Sequence, residues 1–427
     1  MAHTGHRHTA HNAPTSPRRV RLAVVAVLAP LMVATVVALV VLWPRTRPPV
    51  DTSGQNDRYT GTVTEVHERP CQPDEVVQTP TGLTTSRCGT VKVRLDDGRL
   101  VESAMPDGPG APTVRPGEDV VLLAVTDLED PSRILYSIID HQRGFPLLWL
   151  ALLAAAAIVG FARWRGLAAL VGLGVSFAVL LFFVLPAIMT GKPPLIVAVT
   201  GAAAIMFAVL YLTHGVSVQT SVAVMGTLAS LVLTGVLGSV AAASTYLTGY
   251  GGEEAFTLAT FYQNVDLHGL LLAGIIIGSL GVLDDVTVTQ AATVAELAEA
   301  NPTMSRLRLY LAAARVGRAH IASVVNTIVL AYAGASLPVL LLISASGRGV
   351  AETLGTEFVA QEIVRSIVAT IGLVAAVPIT TALAALVAAD RGPRAATPPP
   401  SPAVSRQRGD SPWDERADDW PASNTWR

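Results

Sequence analysis

The sequence predicts an α-helical polytopic membrane protein of about eight transmembrane helices, with a small β-barrel-like domain between the first and second. The 427 residues are 51% hydrophobic and only 15% charged, whereas an ordinary soluble domain is about 25% charged. Several uncharged stretches exceed the roughly 20 apolar residues that cross a bilayer. A separate region, residues 51–140, is polar and contains runs in which polar and β-branched residues alternate.

The membrane segments follow from the charge-free stretches. The apolar segment Leu22–Leu42 is longer than the 7–15 residues typical of a signal peptide core, so we favour an uncleaved anchor over a cleaved signal. Pro193–Gly252 carries no formal charge, and Thr213-His214-Gly215 divides it into two helices. Seven further helices in a membrane domain, residues 145–389, are predicted at approximately 146–162, 167–189, 194–213, 218–246, 267–290, 319–344 and 364–389.

Lysine and arginine in short loops mark the cytoplasmic side of a membrane protein. With the N-terminus in the cytoplasm, the short outside loops hold only Lys192 and Arg348. The inside segments then hold most arginines, including Arg18, Arg19, Arg21, Arg163, Arg165, Arg306, Arg308, Arg315, Arg318, Arg391 and Arg394. The sequence therefore predicts disordered cytoplasmic tails at 1–21 and 390–427, and an extracytoplasmic domain at 51–140.

The extracytoplasmic domain has the pattern of short strands. Tyr59–Val66 alternates polar and β-branched residues, and Asp96-Asp97-Gly98 separates two such runs, which is a hairpin signal. Four or five short strands indicate a small barrel, OB-like in outline. The two cysteines, Cys71 and Cys88, both lie here. In an oxidising compartment they are expected to form a disulfide, the alternative being two free thiols.

A glycine seam marks the helix predicted at 267–290. Gly274 and Gly278 form a small-xxx-small pair that Gly281 extends, which predicts a helix-packing face. Asp285 follows Gly278 by seven residues and therefore lies on the same helix face, whereas the adjacent Asp284 is displaced around the helix. Ionisable residues within membrane spans are functional candidates by default. The alternative is an interfacial carboxylate paired with Arg315 or Arg318 of the next helix.

Other polar residues extend this candidate site. Thr289 and, less closely, Gln290 continue the stripe of Asp285, and Asn326 of the next span is placed to hydrogen-bond to Asp285 or to serve as a helix-packing contact. The full set of candidate coupling or substrate-binding residues is Asp285, Asp284, Thr289, Gln290, Asn326 and Tyr332. In the last span, Glu362 and Arg365 are spaced to pair with each other. No catalytic residue, metal site or cofactor is predicted.

The motifs around these residues resemble a known family. Gly278–Val286, Val316–His320 and Asn326–Gly334 resemble the signature of the YibE/F family of bacterial membrane proteins, and the resemblance extends from about residue 57 to 390. Asp285 matches the motif aspartate, whereas an apolar residue is more usual at the position of Asp284. The resemblance implies a multi-pass protein of the bacterial plasma membrane and implies no defined activity.

Two functions compete for this sequence. Glycine-rich spans and a membrane aspartate favour a transporter or permease for a small solute or ion, coupled to protons or cations. The outside domain favours a non-enzymatic envelope assembly, docking or sensing protein, with another envelope protein as partner. The net charge of −2 argues against nucleic acid as a partner. Adjacent aspartates on one helix lack the facing geometry of an aspartyl protease, so no enzyme is predicted.

Overall fold

The computed structural model describes residues 18–46, 58–71, 87–108, 110–126, 134–262, 265–345, 347 and 349–388. The predicted C-terminal tail at 390–427 lies outside the described residues, as do residues 1–17 of the predicted N-terminal tail. Residues 18–21, which the sequence assigned to that tail, form the first turn of the first helix.

Helices precede and follow five strands. The first helix is α1 (Arg18–Leu42), and the strands are β1 (Arg58–Arg69), β2 (Cys88–Leu95), β3 (Leu100–Ala104), β4 (Asp119–Thr126) and β5 (Ile134–His141). The chain continues through α2 (Gly144–Val179), a π-helical turn (Leu180–Val184), α3 (Leu185–Met189), α4 (Pro194–His214), α5 (Val218–Ser244), α6 (Glu253–Phe261), α7 (Leu267–Ala300), α8 (Arg306–Ala335), α9 (Leu337–Ala345), α10 (Val350–Leu354) and α11 (Glu357–Ala388).

Seven helical elements of the described chain are long and apolar enough to cross a membrane, where the sequence predicted about eight. The difference lies in Gly144–Met189, whose 46 residues would extend about 69 Å as one straight helix, over twice the apolar thickness of a bilayer. Arg163 interrupts it with a non-helical backbone, φ 53° and ψ −128°. Both predicted spans, 146–162 and 167–189, therefore lie in this one element, on either side of Arg163.

The strands close into a barrel in the order β1-β2-β3-β5-β4, with β4 returning to β1. All pairs are antiparallel except the short parallel pair of β3 and β5, so the barrel has the Greek-key form of an OB-like fold. Alternate residues fill its core, as in β2, where Val91, Val93 and Leu95 are buried. The alternation of polar and β-branched residues in the sequence corresponds to side chains that point alternately out of and into the barrel.

The barrel leads directly into the helix that follows it. Arg143, the residue before α2, donates a 2.8 Å hydrogen bond to Asp140 of β5, and this bond holds the pKa of Asp140 below its ordinary value. The backbone amide of Gln142 also donates to the carbonyl of Asp119, at 2.8 Å. The end of the barrel at which β5 finishes therefore adjoins the start of the membrane domain.

A disulfide joins Cys71 and Cys88, with their Cα atoms 5.1 Å apart and a sequence separation of 17 residues. Cys88 begins β2, so the bond ties the end of β1 to the next strand. Closing a loop of this length contributes about 3 kcal/mol in the chain-entropy model. We expect Cys71→Ser with Cys88→Ser to make the barrel much more sensitive to limited proteolysis in the full-length protein. Unchanged cleavage rates, with an oxidised wild type as reference, would contradict a stabilising role.

The membrane helices pack around α7. One buried cluster contains Val222 of α5, Val294 of α7, Leu309 of α8 and Ala384 of α11. A second cluster, at the other end of α5, α7 and α11, contains Ala242 of α5, Leu271 of α7 and Val364 of α11. α5 and α8 begin at the first cluster, whereas α7 and α11 begin at the second, so membrane helices that follow one another in the chain alternate in direction. This alternation is what short loops between successive membrane spans require.

Candidate functional site

One side of α7 is open. Gly278, Gly281, Asp285 and Thr289 are exposed along this side, at the three- and four-residue spacings of a single helix face. The side chain of Asp285 is 71% exposed, and a side chain at Gly281 would meet no atom within 4 Å. The sequence placed Asp285 and Thr289 on the glycine stripe, and the structure has them there.

The neighbouring helix α8 presents polar groups at the same place. His320 lies beside Asp285, and the exposed residues Ser323 and Thr327 follow His320 on the same helix face by their spacing. We call the space lined by these seven residues the α7–α8 groove: Gly278, Gly281, Asp285 and Thr289 from α7, and His320, Ser323 and Thr327 from α8.

Three ionisable side chains lie at one end of the groove. His320 Nε2 is 4.0 Å from the Asp285 carboxylate, which is beyond direct hydrogen-bond distance. His320 Nε2 and Asp284 Oδ1 are buried and have no hydrogen-bond partner in the described part of the chain. The sequence offered Arg315 or Arg318 as a structural partner for Asp285, and the structure brings a histidine instead. These groups can take up or release a proton.

The other end of the groove adjoins a charged pair from α11. Arg365 donates a 2.8 Å hydrogen bond to Glu362, as their spacing predicted, and each side chain is about one-quarter exposed, 27% and 24%. The Arg365 guanidinium lies against Gly274 of α7. The hydroxyl of Tyr332 lies next, 3.1 Å from where a side chain at Gly278 would begin. Polar groups therefore follow α7 over about 17 Å, from Gly274 to Asp285.

Gln290 does not belong to the groove. It is only 2% exposed, and its amide donates to Thr381 of α11 at 3.0 Å and to the carbonyl of Ala313 of α8 at 3.4 Å. Five residues beyond Asp285, it points to another side of α7, because five residues rotate a helix by about 140°. The sequence interpretation of Gln290 as part of the Asp285 stripe is therefore corrected, and Gln290 joins three helices instead.

Asn326 is also elsewhere than predicted. It lies on the exposed side of α8, two residues from the buried Ile328, and within the described chain it makes no hydrogen bond to Asp285. The sequence shows only how far along the membrane helix Asn326 lies. Its helix face depends on how α8 packs, and the apolar cluster around Ile328 turns Asn326 away from α7.

The predicted glycine packing face is corrected as well. Gly274 and Gly278 meet the tips of side chains, and Gly281 meets open space, so no helix of the described chain packs closely on this seam. Close helix contacts occur at glycines that the sequence analysis did not single out. A side chain at Gly226 would overlap Thr380, one at Gly372 would overlap Thr234, and one at Gly317 would overlap Gln290.

A buried hydroxyl cluster fills the contact between α5, α7 and α11. Thr227 and Thr287 share a 2.5 Å hydrogen bond and are both fully buried. Ser230 and Thr234 bond to backbone carbonyls four residues earlier in α5. Such contacts hold membrane helices together. These hydroxyls are buried and hydrogen-bonded, although the buried Thr380 hydroxyl of α11 has no partner within the described residues. The groove is the more accessible polar region.

The sequence analysis also missed a carboxylate that anchors the segment after α5. One oxygen of Glu357, at the start of α11, accepts hydrogen bonds from the amides of Thr248, Gly249 and Tyr250 at 2.8–3.1 Å. Gln361 donates to the same oxygen. Gly249 has a φ of +92°, the left-handed region that glycine favours. The Thr-Gly-Tyr-Gly sequence at 248–251 was the available signal for this turn.

Comparison with known proteins places the membrane domain in context. The model of the YibE/F-like protein family matches residues 150–390, which include the groove. The resemblance read from the sequence extended to about residue 57, whereas the family match leaves out α1 and the barrel. Searches of curated proteins and of solved structures gave no match.

Proposed function

We propose a transport role for this chain, which belongs to the YibE/F-like protein family and is a multi-span membrane protein. The solute or ion moves along the α7–α8 groove, and Asp285 couples its movement to a proton or another cation. The observation that carries the proposal is the 71% exposed carboxylate of Asp285 in an apolar span, because a charge facing lipid without a partner is costly.

The surroundings of Asp285 support a change of protonation rather than a fixed ion pair. A permanent structural charge in a membrane is usually paired or hydrogen-bonded, and the contact of Asp285 with His320 is 4.0 Å long. The Asp285 side chain is 71% exposed, so its open side can bind a proton or another cation. Loading and release of such a cation changes the charge at one end of the groove and thereby the affinity of the groove for its solute.

The test is flux through the purified full-length protein in sealed liposomes that contain a pH-sensitive dye. A proton gradient and a membrane potential are imposed in turn while a panel of ions and small solutes is added. We expect at least one solute to move with protons or in response to the potential, faster than in protein-free liposomes. Passive leak that is indifferent to both gradients would contradict coupling.

The proposed location is a bacterial plasma membrane, with both termini in the cytoplasm and the barrel outside. Arg163, Arg306 and Arg308 then lie on the inner side, as the positive-inside rule requires. Because both native cysteines are in the disulfide, single introduced thiols report sidedness. We expect Gly98→Cys in the barrel to react with an impermeant maleimide on intact spheroplasts and Arg308→Cys to react only after lysis. The opposite pattern would reverse the topology.

A second candidate, docking of an envelope protein, has support in the barrel. The barrel end opposite the junction with α2 exposes Leu100, Val125, Ile134 and Leu135, and exposed apolar groups of this kind mark interaction sites when they are contiguous. Leu100→Asp with Leu135→Asp separates the two functions. Loss of activity in cells with unchanged flux in liposomes favours docking, whereas unchanged activity in both assays favours transport alone.

A further inference from the structure

We infer that the solute of the α7–α8 groove is an amphiphile with an anionic head group, whose phosphate or carboxylate follows the groove while its apolar tail stays in the lipid. This inference rests on the transport role proposed above and names the substrate class of the same groove.

The first argument is that the groove opens to the side. α7 is packed against α4, α5 and α11 on its other faces, and no helix of the described residues covers Gly281 or Asp285. Between α5, α7 and α11, Thr227 bonds to Thr287 and Gln290 bonds to Thr381, and these side chains are buried away from the lateral surface. A polar path on the lateral surface of a membrane bundle fits a molecule of which one part is polar and the other belongs in lipid.

The second argument is the free hydrogen-bonding capacity of Arg365. A guanidinium has five N–H donors in a planar fork that matches the oxygens of a phosphate or carboxylate. Glu362 accepts from Nη1, and Nε is buried with no hydrogen-bond partner within the described chain. The guanidinium lies beside Gly274 of α7, where a Cβ atom would be 3.8 Å from Nη2. Nη2, which lies toward Gly274, is therefore the donor group that Arg365 retains for a second oxyanion at the groove.

The third argument is the order of polar side chains along the α7–α8 groove. The Tyr332 hydroxyl lies at Gly278, about 6 Å along α7 from Gly274, and offers the next hydrogen bond to a head group that leaves Arg365. Ser323 and Thr327 add neutral hydroxyls on the facing helix. An anion then reaches Asp285, with His320 and Asp284 nearby, where a bound proton or cation removes the repulsion.

A second copy of the chain is a less favourable occupant than an anionic amphiphile for the face of α7 that carries Gly278 and Gly281. Two copies related by a two-fold axis along the membrane normal would place residues of equal depth opposite each other. Packing on the Gly278 and Gly281 stripe would thus bring two Asp285 carboxylates together in an apolar setting, and like charges at short range are strongly unfavourable there.

The experiment uses full-length protein in liposomes that contain a trace of phosphatidylglycerol labelled with the fluorophore NBD on its acyl chain. Dithionite bleaches the label in the outer leaflet only, so bleaching of the inner-leaflet share reports movement across the bilayer. Parallel liposomes carry a cationic lipid with the same labelled tails, and a third set measures uptake of inorganic phosphate.

We expect inner-leaflet label to become accessible for the anionic lipid and to remain protected for the cationic one. In Arg365→Gln with Glu362→Gln, which removes both charges and leaves no unpaired one, the initial rate should fall to that of protein-free liposomes. Arg308→Gln, an exposed arginine at the start of α8, is the matched control and should retain the wild-type rate.

Equal movement of both lipids, or an unchanged rate in the double variant, overturns the inference. Uptake of phosphate or another solute without lipid movement also overturns it and leaves the transport role standing. Loss of every flux, of lipid and of solute alike, contradicts both the substrate inference and the transport role. A second copy on the groove would appear instead as a dimer that dissociates when Gly281 is replaced by a bulky residue.

Discussion

Asp285→Asn is expected to reduce gradient-driven flux to the level of protein-free liposomes. Asparagine has nearly the same shape as aspartate but carries no charge and binds no proton in the physiological range. The change therefore removes the proposed coupling group and leaves the packing of α7 as it is, since the side chain is 71% exposed and lies 4.0 Å from His320. The measurement is the initial rate of solute-dependent proton movement.

Glu299→Gln is the matched control for this variant. Glu299 is also an exposed acid of α7 but lies near its end, about 21 Å beyond Asp285. Its substitution should leave the rate unchanged. If Asp285→Asn transports like the wild type after equal insertion, Asp285 is an interfacial carboxylate and the coupling role is lost.

The second large effect is expected at Gly226. A side chain here would overlap the Thr380 hydroxyl and would lie 3.0 Å from Thr380 Cβ, and both residues are buried between α5 and α11. Gly226→Ala should thus force the two helices apart and destabilise the bundle by about 1–3 kcal/mol, the usual cost of overpacking. The free energy of unfolding in mixed detergent micelles measures this change.

Gly281→Ala is the comparison that isolates the helix contact. It also replaces a mid-helix glycine, but its new methyl group meets open space, and alanine is the better helix former by about 1 kcal/mol. We expect this variant to be as stable as the wild type or more so. Equal destabilisation at both positions would mean that α7 has a close neighbour at Gly281.

Most of the architecture could be predicted because it depends on local signals. The length of apolar stretches such as Leu22–Leu42 located the spans, and Asp96-Asp97-Gly98 located the turn between β2 and β3. The stretch around Arg163 gave two predicted spans, which the structure joins in one long element with a local break. Charge placement separated these segments, but charge does not show whether the helix stops or only bends.

The sequence predicted how far along its helix each site residue lies better than it predicted which face of the helix the residue occupies. Asp285 and Thr289 share the open face of Gly281 because their spacing sets their relative angle. Gln290 and Asn326 were misplaced because the absolute rotation of a helix depends on partners distant in sequence. For Gln290 those partners are Thr381 and Ala313, which come from two other helices.

Glycine patterns had the same weakness. The sequence favoured Gly278 and Gly281 as packing positions, whereas the close contacts are at Gly226 and Gly372. A small-xxx-small pair shows that a close approach is sterically allowed. Whether a helix, a side chain or a solute occupies the space depends on the rest of the bundle.

The most direct test of the groove as the transport path is thiol modification of Gly281→Cys in sealed liposomes. Both native cysteines are bonded to each other, so the introduced thiol is the single reactive one. We predict rapid reaction with a small charged methanethiosulfonate, protection by transported solute, and loss of flux after modification. Val240→Cys, at an exposed apolar position of α5, should react slowly and keep its flux. Reaction at Gly281→Cys no faster than at Val240→Cys, or undiminished flux after complete modification, would contradict the account.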